Sequence, residues 1–166
     1  MRGLKDKLIF DLAAWVKTRA KPRAKPLVFT NGCFDIVHAG HIEMLYAVHH
    51  LWPEAEVVVG INGDLSVRQL KGPGRPVNNQ EYRLLQVAAL EPVDYCFVFD
   101  EVRCARYIRQ ISPDYWVKGG DYKKENLATE EVEAAHEIGA EIIIIPRKYE
   151  ISTTKILWEA NLIFNN

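Results

Sequence analysis

At 166 residues the chain is long enough for one compact domain with a substantial core, and too short for two ordinary ones. A composition 48% hydrophobic and 26% charged excludes a disordered or fibrous chain, and no apolar run approaches the ~20 residues that cross a bilayer. The net charge of −1 conceals an asymmetry: residues 1–25 hold eight Lys/Arg against two Asp, and the rest holds 13 basic against 20 acidic residues.

Leu4, Leu8, Leu12, Trp15 and Val16 recur at helical spacing. Residues 1–25 are therefore read as an amphipathic helix followed by a basic linker (Lys17 to Pro26), with residues 26–166 as the main domain. The apolar stripe favours packing on the body or on a second subunit, which leaves room for a homodimer. Neither nucleic acid nor membrane is expected as a partner, although a basic tail is the usual signature of both. Cys33, Cys96 and Cys104 form no Cys-x-x-Cys pair, and Met1–Lys7 lacks a secretory signal, so a reducing, cytoplasmic setting is expected. Cys33 and Cys96 sit in apolar runs and read as buried thiols.

Leu27-Val28-Phe29-Thr30 is an apolar strand leaving into Asn31-Gly32, and a helix follows from Ala39. Residues 56–61 form the next strand, and Leu70–Asn78 reads as a Gly/Pro loop. Further helices are expected at 81–90, 102–111, 130–138 and from Ser152 to about Leu162, with strands at 95–99, 115–117 and 141–145. Strands alternating with helices imply an α/β, Rossmann-like, doubly wound, mainly parallel five-stranded sheet in one domain. Ligands of such sheets bind beyond the C-terminal strand ends, which draws attention to the loops after Thr30, Ile61, Phe99, Val117 and Ile145.

In the first of these loops, His38 and His41 stand three apart at a helix start, where backbone N–H groups favour an anion and Gly40 admits a ligand close to the chain. The competing readings are a His-x-x-His metal site with Asp35, or surface histidines. Phosphate chemistry is preferred, because no other His or Cys cluster supplies a further ligand. Lys71 and Arg75, on the Lys71-Gly72-Pro73-Gly74-Arg75-Pro76 loop, suit a lid over a polyphosphate, and Arg83 is expected to point at the same anion. Taken alone, that loop is a solvated basic turn. Lys118-Gly119-Gly120-Asp121 lets backbone approach a planar base, with Asp121 accepting from an amino group. Ser152-Thr153-Thr154 is either a phosphate cradle or an ordinary N-cap, and Asn62-Gly63-Asp64 either holds a ribose or a phosphate-bound cation or is a plain turn.

Taken together and in this order, these stretches are similar to the cytidylyltransferase-like family, within the His-x-Gly-His nucleotidyltransferases. The matching residues are Phe29-Thr30-Asn31-Gly32 with Phe34-Asp35, His38–His41, Lys71-Gly72 with Arg75–Asn78, Ala88–Glu91 with Val93-Asp94, Pro113-Asp114, Val117–Tyr122 and Ser152–Thr154. Within the family, the chain most resembles the adenylyltransferases that make ADP-heptose. The resemblance implies transfer of AMP from ATP to a sugar phosphate, with heptose 1-phosphate as acceptor, release of pyrophosphate and Mg²⁺ carried on the phosphates. It implies catalytic roles for His38, His41 and Lys71. Thr30, Asn31, Gly32, Phe34, Asp35, Gly40, Arg75, Lys118–Asp121 and Ser152–Thr154 would bind nucleotide, and Asn62, Asp64 and Arg83 the acceptor. A CTP-dependent enzyme acting on glycerol 3-phosphate or a similar phosphate is the alternative, and a non-catalytic nucleotide-binding module the second. The subgroup's acidic-Thr-Pro triplet is replaced by Val102-Arg103-Cys104, its Gly-containing pair by Glu150-Ile151, and Trp52–Ala55 lengthens a turn. The first two changes are expected on the acceptor side. No sugar kinase is expected within this length.

Overall fold

The sheet is built outward from its centre. Strand β1 (Leu27–Gly32) pairs on one side with β2 (Glu56–Asn62) and through it β3 (Tyr95–Phe99), and on the other with β4 (Tyr115–Gly119) and through it β5 (Glu141–Ile145). All pairs are parallel, in the order β3-β2-β1-β4-β5, and Thr30 lies opposite Val59 on one side and Val117 on the other. The strand order reverses at β1/β4, so the loops leaving these two strands part there and open a crevice. The α/β, Rossmann-like, five-stranded sheet expected from the sequence is borne out. The computed structural model describes residues 3–19 and 21–164; Met1, Arg2, Ala20, Asn165 and Asn166, which fall within the two expected segments, lie outside the described residues.

Side-chain alternation along the strands separates two cores. Leu27, Phe29, Val58, Phe97 and Trp116 face one side, covered by α1 (Leu12–Lys17), α5 (Ala105–Ile111) and α6 (Thr129–Glu137). Val28, Val57, Val59, Cys96 and Val117 face the other, covered by α2 (Ala39–Leu51) and α4 (Gln80–Ala88). Helices α3 (Asp64–Lys71) and α7 (Thr153–Phe164) complete the set. Among the described residues no helix is long and apolar enough to cross a membrane.

Two local expectations change. The continuous N-terminal helix is broken into a 3-10 turn (Leu4–Lys7) and α1, because Leu8 makes a parallel bridge to Cys96 and Ile9 N–H donates to Cys96 O at 2.9 Å. The segment thereby covers the edge of β3, and satisfying an exposed strand edge wins over helix continuity. Leu8, Leu12, Trp15 and Val16 do pack on the body, whereas Leu4 and Phe10 are exposed. The second change is α3, which sequence pattern left unassigned; only Ser66 and Val67 of it are buried, too little to make an apolar stripe.

The basic stretch after α1 is anchored to the strands' N-terminal ends. Arg19 lies over the rings of Trp15 and Tyr95 and pairs with Glu56 at 3.1 Å, while Lys21 and Arg23 both pair with Asp114. Much of the positive charge concentrated in residues 1–25 thus meets acidic groups of the same chain.

Candidate active site

Four loops meet over the β1/β4 crevice. The lining includes Asn31–Asp35, His38, Gly40 and His41 after β1, Lys71 and Arg75 beyond α3, Lys118–Tyr122 at the end of β4, and Ile145–Lys148 with Ser152–Thr154 after β5.

His38 and His41 occupy the first turn of α2, with ring centroids 3.8 Å apart and nearly parallel. His41 Nδ1 accepts the His38 backbone N–H at 3.4 Å, and its ring lies 4.9 Å from that of the buried Phe34. Burial, then the neighbouring His38, push His41 down to about 3, so it is neutral at pH 7. With Nδ1 accepting, Nε2 is left as the proton-bearing donor. Burial and then Arg147 lower His38, against a smaller pull upward from Asp121. A Cβ at Gly40 would come within 3.2 Å of Cε1 and Nδ1 of His38, so that ring would have to give by a few tenths of an ångström.

Asp35 is buried and holds the Lys71–Asn78 loop. One carboxylate oxygen accepts the backbone N–H groups of Val77 (2.8 Å) and Asn78 (3.0 Å), and the other accepts from Arg75 Nε at 2.5 Å. Lys71 stands exposed at the C-terminal end of α3, where Gly72 turns the chain at φ +87°. Gly119 and Gly120 end β4. A Cβ on Gly120 would lie 2.4 Å from the backbone nitrogen of Arg147, so the β4 and β5 loops meet through a glycine. Ser152 Oγ accepts from Lys155 N–H at 3.1 Å as the cap of α7, and Thr153 Oγ1 donates to Ile36 O at 3.5 Å, fixing α7's start beside the histidine loop. Two helix N-termini therefore border one cleft.

Other expected site residues are placed elsewhere. Thr30 is buried in β1 and does not line the cleft. Arg83, expected to reach an anion, is wholly buried; it donates to the carbonyls of Cys33 (2.6 Å), Asn62 (2.7 Å) and Asn78 (2.9 Å) and pairs with Asp64 at 2.8 Å. Asn62 donates to Ser66 Oγ at 2.7 Å. Asn62, Asp64 and Arg83 are brought together, but turned on one another as a brace that also holds Asn78 at the end of the Lys71–Asn78 loop. Cys104, expected near the acceptor, is buried at the start of α5, where its N–H donates to Glu131 at 2.9 Å. Cys33 is only partly buried and lines the cleft, whereas the Cys96 thiol is pushed up to about 12 by burial.

The family model of cytidylyltransferase-like proteins matches residues 29–157. The chain belongs to this family. It is 41% identical over 138 residues to the bifunctional protein HldE of Alcanivorax borkumensis, covering 83% of this chain and 28% of that protein. It is 50% identical over 103 residues to the protein of the same name from Wolinella succinogenes, covering 62% and 21%. The chain thus spans under a third of the length of these curated relatives. Among solved structures, the lipopolysaccharide core biosynthesis protein from Thermoplasma volcanium matches with a TM-score of 0.62 at 25% identity, over 75% of this chain and 98% of that one. Pantoate–beta-alanine ligase from Francisella tularensis shares the fold alone, with a TM-score of 0.59 at 14% identity, over 96% and 78%. The resemblance expected from the histidine, Lys-Gly-x-x-Arg-Pro and Ser-Thr-Thr stretches is thereby established, and the chain is a nucleotidyltransferase by family.

Arg147 also lines the cleft of this cytidylyltransferase-like chain, although it belongs to none of the stretches singled out above. Arg147 lies two positions past β5, donates to Ile151 O at 3.2 Å and stands close enough to His38 to lower it. Its signal was available, since it is a lone Arg in one of the five strand-end loops. Among the described residues no three His, Cys, Asp or Glu side chains gather as a metal cage, and Asp35 is already held by its own donors.

Proposed function

We propose that the chain transfers AMP from ATP to a sugar phosphate, heptose 1-phosphate, with release of pyrophosphate, and that residues 26–166 carry the reaction while residues 1–25 brace the sheet. The observation that carries this reading is the neutral, closely stacked His38/His41 pair at a helix N-terminus. A histidine held near 3 is too weak a base to deprotonate an alcohol at neutral pH, but it is a good hydrogen-bond donor. That suits a nucleophile already ionised on arrival, such as a phosphate oxygen.

In this reaction an acceptor phosphate oxygen attacks the α-phosphorus of ATP in line. The new P–O bond forms as the bond to the β-phosphate oxygen breaks, and pyrophosphate departs with the electron pair. No proton has to move, and no covalent enzyme intermediate is needed. His38 and His41 donate to the α-phosphate oxygens as charge accumulates. Lys71 and the Nη groups of Arg75, whose Nε alone is engaged by Asp35, hold the leaving phosphates together with the starts of α2 and α7. Gly119, Gly120 and Asp121 receive the base. Mg²⁺ arriving with the triphosphate, which Lys71, Arg75 and the two helix starts would hold, would supply charge neutralisation there. Positioning and electrostatics carry the rate.

The test is pyrophosphate release with ATP and with CTP across a panel containing heptose 1-phosphate and glycerol 3-phosphate. Release with ATP and heptose 1-phosphate is the expected outcome. Release only with CTP and a polyol phosphate would replace it by the cytidylyltransferase reading, and no release with any pair would leave a nucleotide-binding module.

A further inference from the structure

Lys118 is buried, 3% exposed, yet it lines the cleft. Its ammonium donates to Asn31 O and Asn31 Oδ1, both at 3.3 Å, and lies 4.3 Å from the centroid of the Tyr122 ring. Both hydrogen bonds are long, and no carboxylate pairs with it among the described residues. Asn31 Oδ1 is shared with Trp116 Nε1 at 3.2 Å, so the amide's orientation is fixed with its oxygen toward the ammonium. A buried cation without an anion is costly, and a cation that faces a cleft finds its anion in the ligand.

Its position indicates which ligand. Along β4, Trp116 faces the α5/α6 core and Val117 the α2 core, so Lys118 leaves the strand on the α5/α6 side. The polyphosphate donors lie on the other side: His38 and His41 on α2, the start of α7 beside them, and Arg75 tied to Asp35 next to Phe34 of the α2 core. Adenine and ribose carry no charge for an ammonium to balance. An in-line displacement needs its nucleophile on the flank opposite the leaving group, and bringing a phosphate dianion against ATP requires a cation at that flank.

We propose that Lys118, oriented by Asn31 and covered by Tyr122, binds the phosphate monoester of the acceptor and sets its preference for phosphorylated acceptors. This rests on the transfer reaction proposed above. It assigns Lys118 to the acceptor rather than to the nucleotide.

The test is steady-state kinetics of Lys118→Met and Lys118→Arg with ATP and heptose 1-phosphate. Removing a charge-assisted contact of this kind raises the acceptor KM roughly 10- to 100-fold. The ATP KM is expected within about twofold of wild type, and the arginine variant should recover most of the loss. Inorganic phosphate should compete with the acceptor in wild type and lose that competition in Lys118→Met. Lys118→Gln, which keeps a donor for Asn31, replaces the methionine variant if circular dichroism shows that Met disturbs the fold. A raised ATP KM with an unchanged acceptor KM would assign Lys118 to the nucleotide and overturn the proposal, as would no change in either. If wild type releases no pyrophosphate with any acceptor, the transfer reading falls separately, and the lysine is read by ³¹P line broadening of inorganic phosphate. Broadening in wild type but not in the variant upholds an anion site; equal broadening in both overturns it.

Discussion

Asp35 and Arg75 form an ion pair across the mouth of the cleft, with the carboxylate 1% exposed and the guanidinium 13%. The pair joins the histidine loop to the Lys71–Asn78 loop, because the same carboxylate also accepts from Val77 and Asn78. Asp35 thus positions the Lys71–Asn78 loop. Asp35→Ala strands two backbone N–H groups and a guanidinium, and is expected to cost about 2–4 kcal/mol by urea denaturation. Asp35→Asn can keep its oxygen on Val77 and Asn78 but sets an amide against Arg75. It should cost less stability while still raising the KM for ATP roughly tenfold. An asparagine variant with unaltered KM would show that the pair does not position Arg75 for the phosphates.

Gly40 separates activity from stability. Gly40 is the second residue of α2, so Gly40→Ala gains only part of the roughly 1 kcal/mol by which alanine exceeds glycine in a helix interior, and stability should stay near wild type. The added methyl meets the His38 ring at 3.2 Å and Ile151 at 3.7 Å, so the ring must move. The expected outcome is a nearly unchanged Tm with kcat reduced about tenfold, since the ring proposed to donate to the α-phosphate is moved out of line. Thermal melts and turnover on the same sample check both halves.

What was legible in the sequence was local. The alternating cores follow from strand patterning, and the histidine pair, the glycine pair and the serine–threonine cap sit at strand–helix junctions because turn and cap chemistry acts over a few residues. What was not legible depends on distant partners. Leu4, Leu8 and Leu12 fit a helix by spacing, but the free edge of β3 at Cys96 claims the backbone at Leu8–Ile9. Arg83 looks like an anion ligand until three carbonyls from separate segments enclose it. The α3 helix escaped because it buries only two side chains.

Arg83 gives a direct test of that distinction. As a ligand it would tolerate Arg83→Met with a loss confined to kinetics. As a brace it leaves the carbonyls of Cys33, Asn62 and Asn78 and the Asp64 carboxylate without their donor. The expected cost is about 3–5 kcal/mol, a large part of a domain's stability. Soluble yield and urea midpoint should both fall sharply, and unaltered folding with raised KM alone would restore the ligand role.

His41 makes stability depend on pH in a defined direction. Its folded value is depressed to about 3 from an ordinary 6.5, so the unfolded chain takes up the proton first. The native state keeps the full contribution above about pH 6.5 and loses it as pH falls toward 3, at up to about 1.4 kcal/mol per unit. His38, lowered in the same direction, adds to that slope. His41→Gln removes the titration while keeping a side chain of similar reach. Between pH 6.5 and 5 the wild type should therefore lose about 2 kcal/mol more than the variant in urea unfolding. Parallel curves for the two proteins would mean that His41 is hydrated and titrates normally. The neutral donor at the centre of the transfer chemistry would then have to be His38 alone.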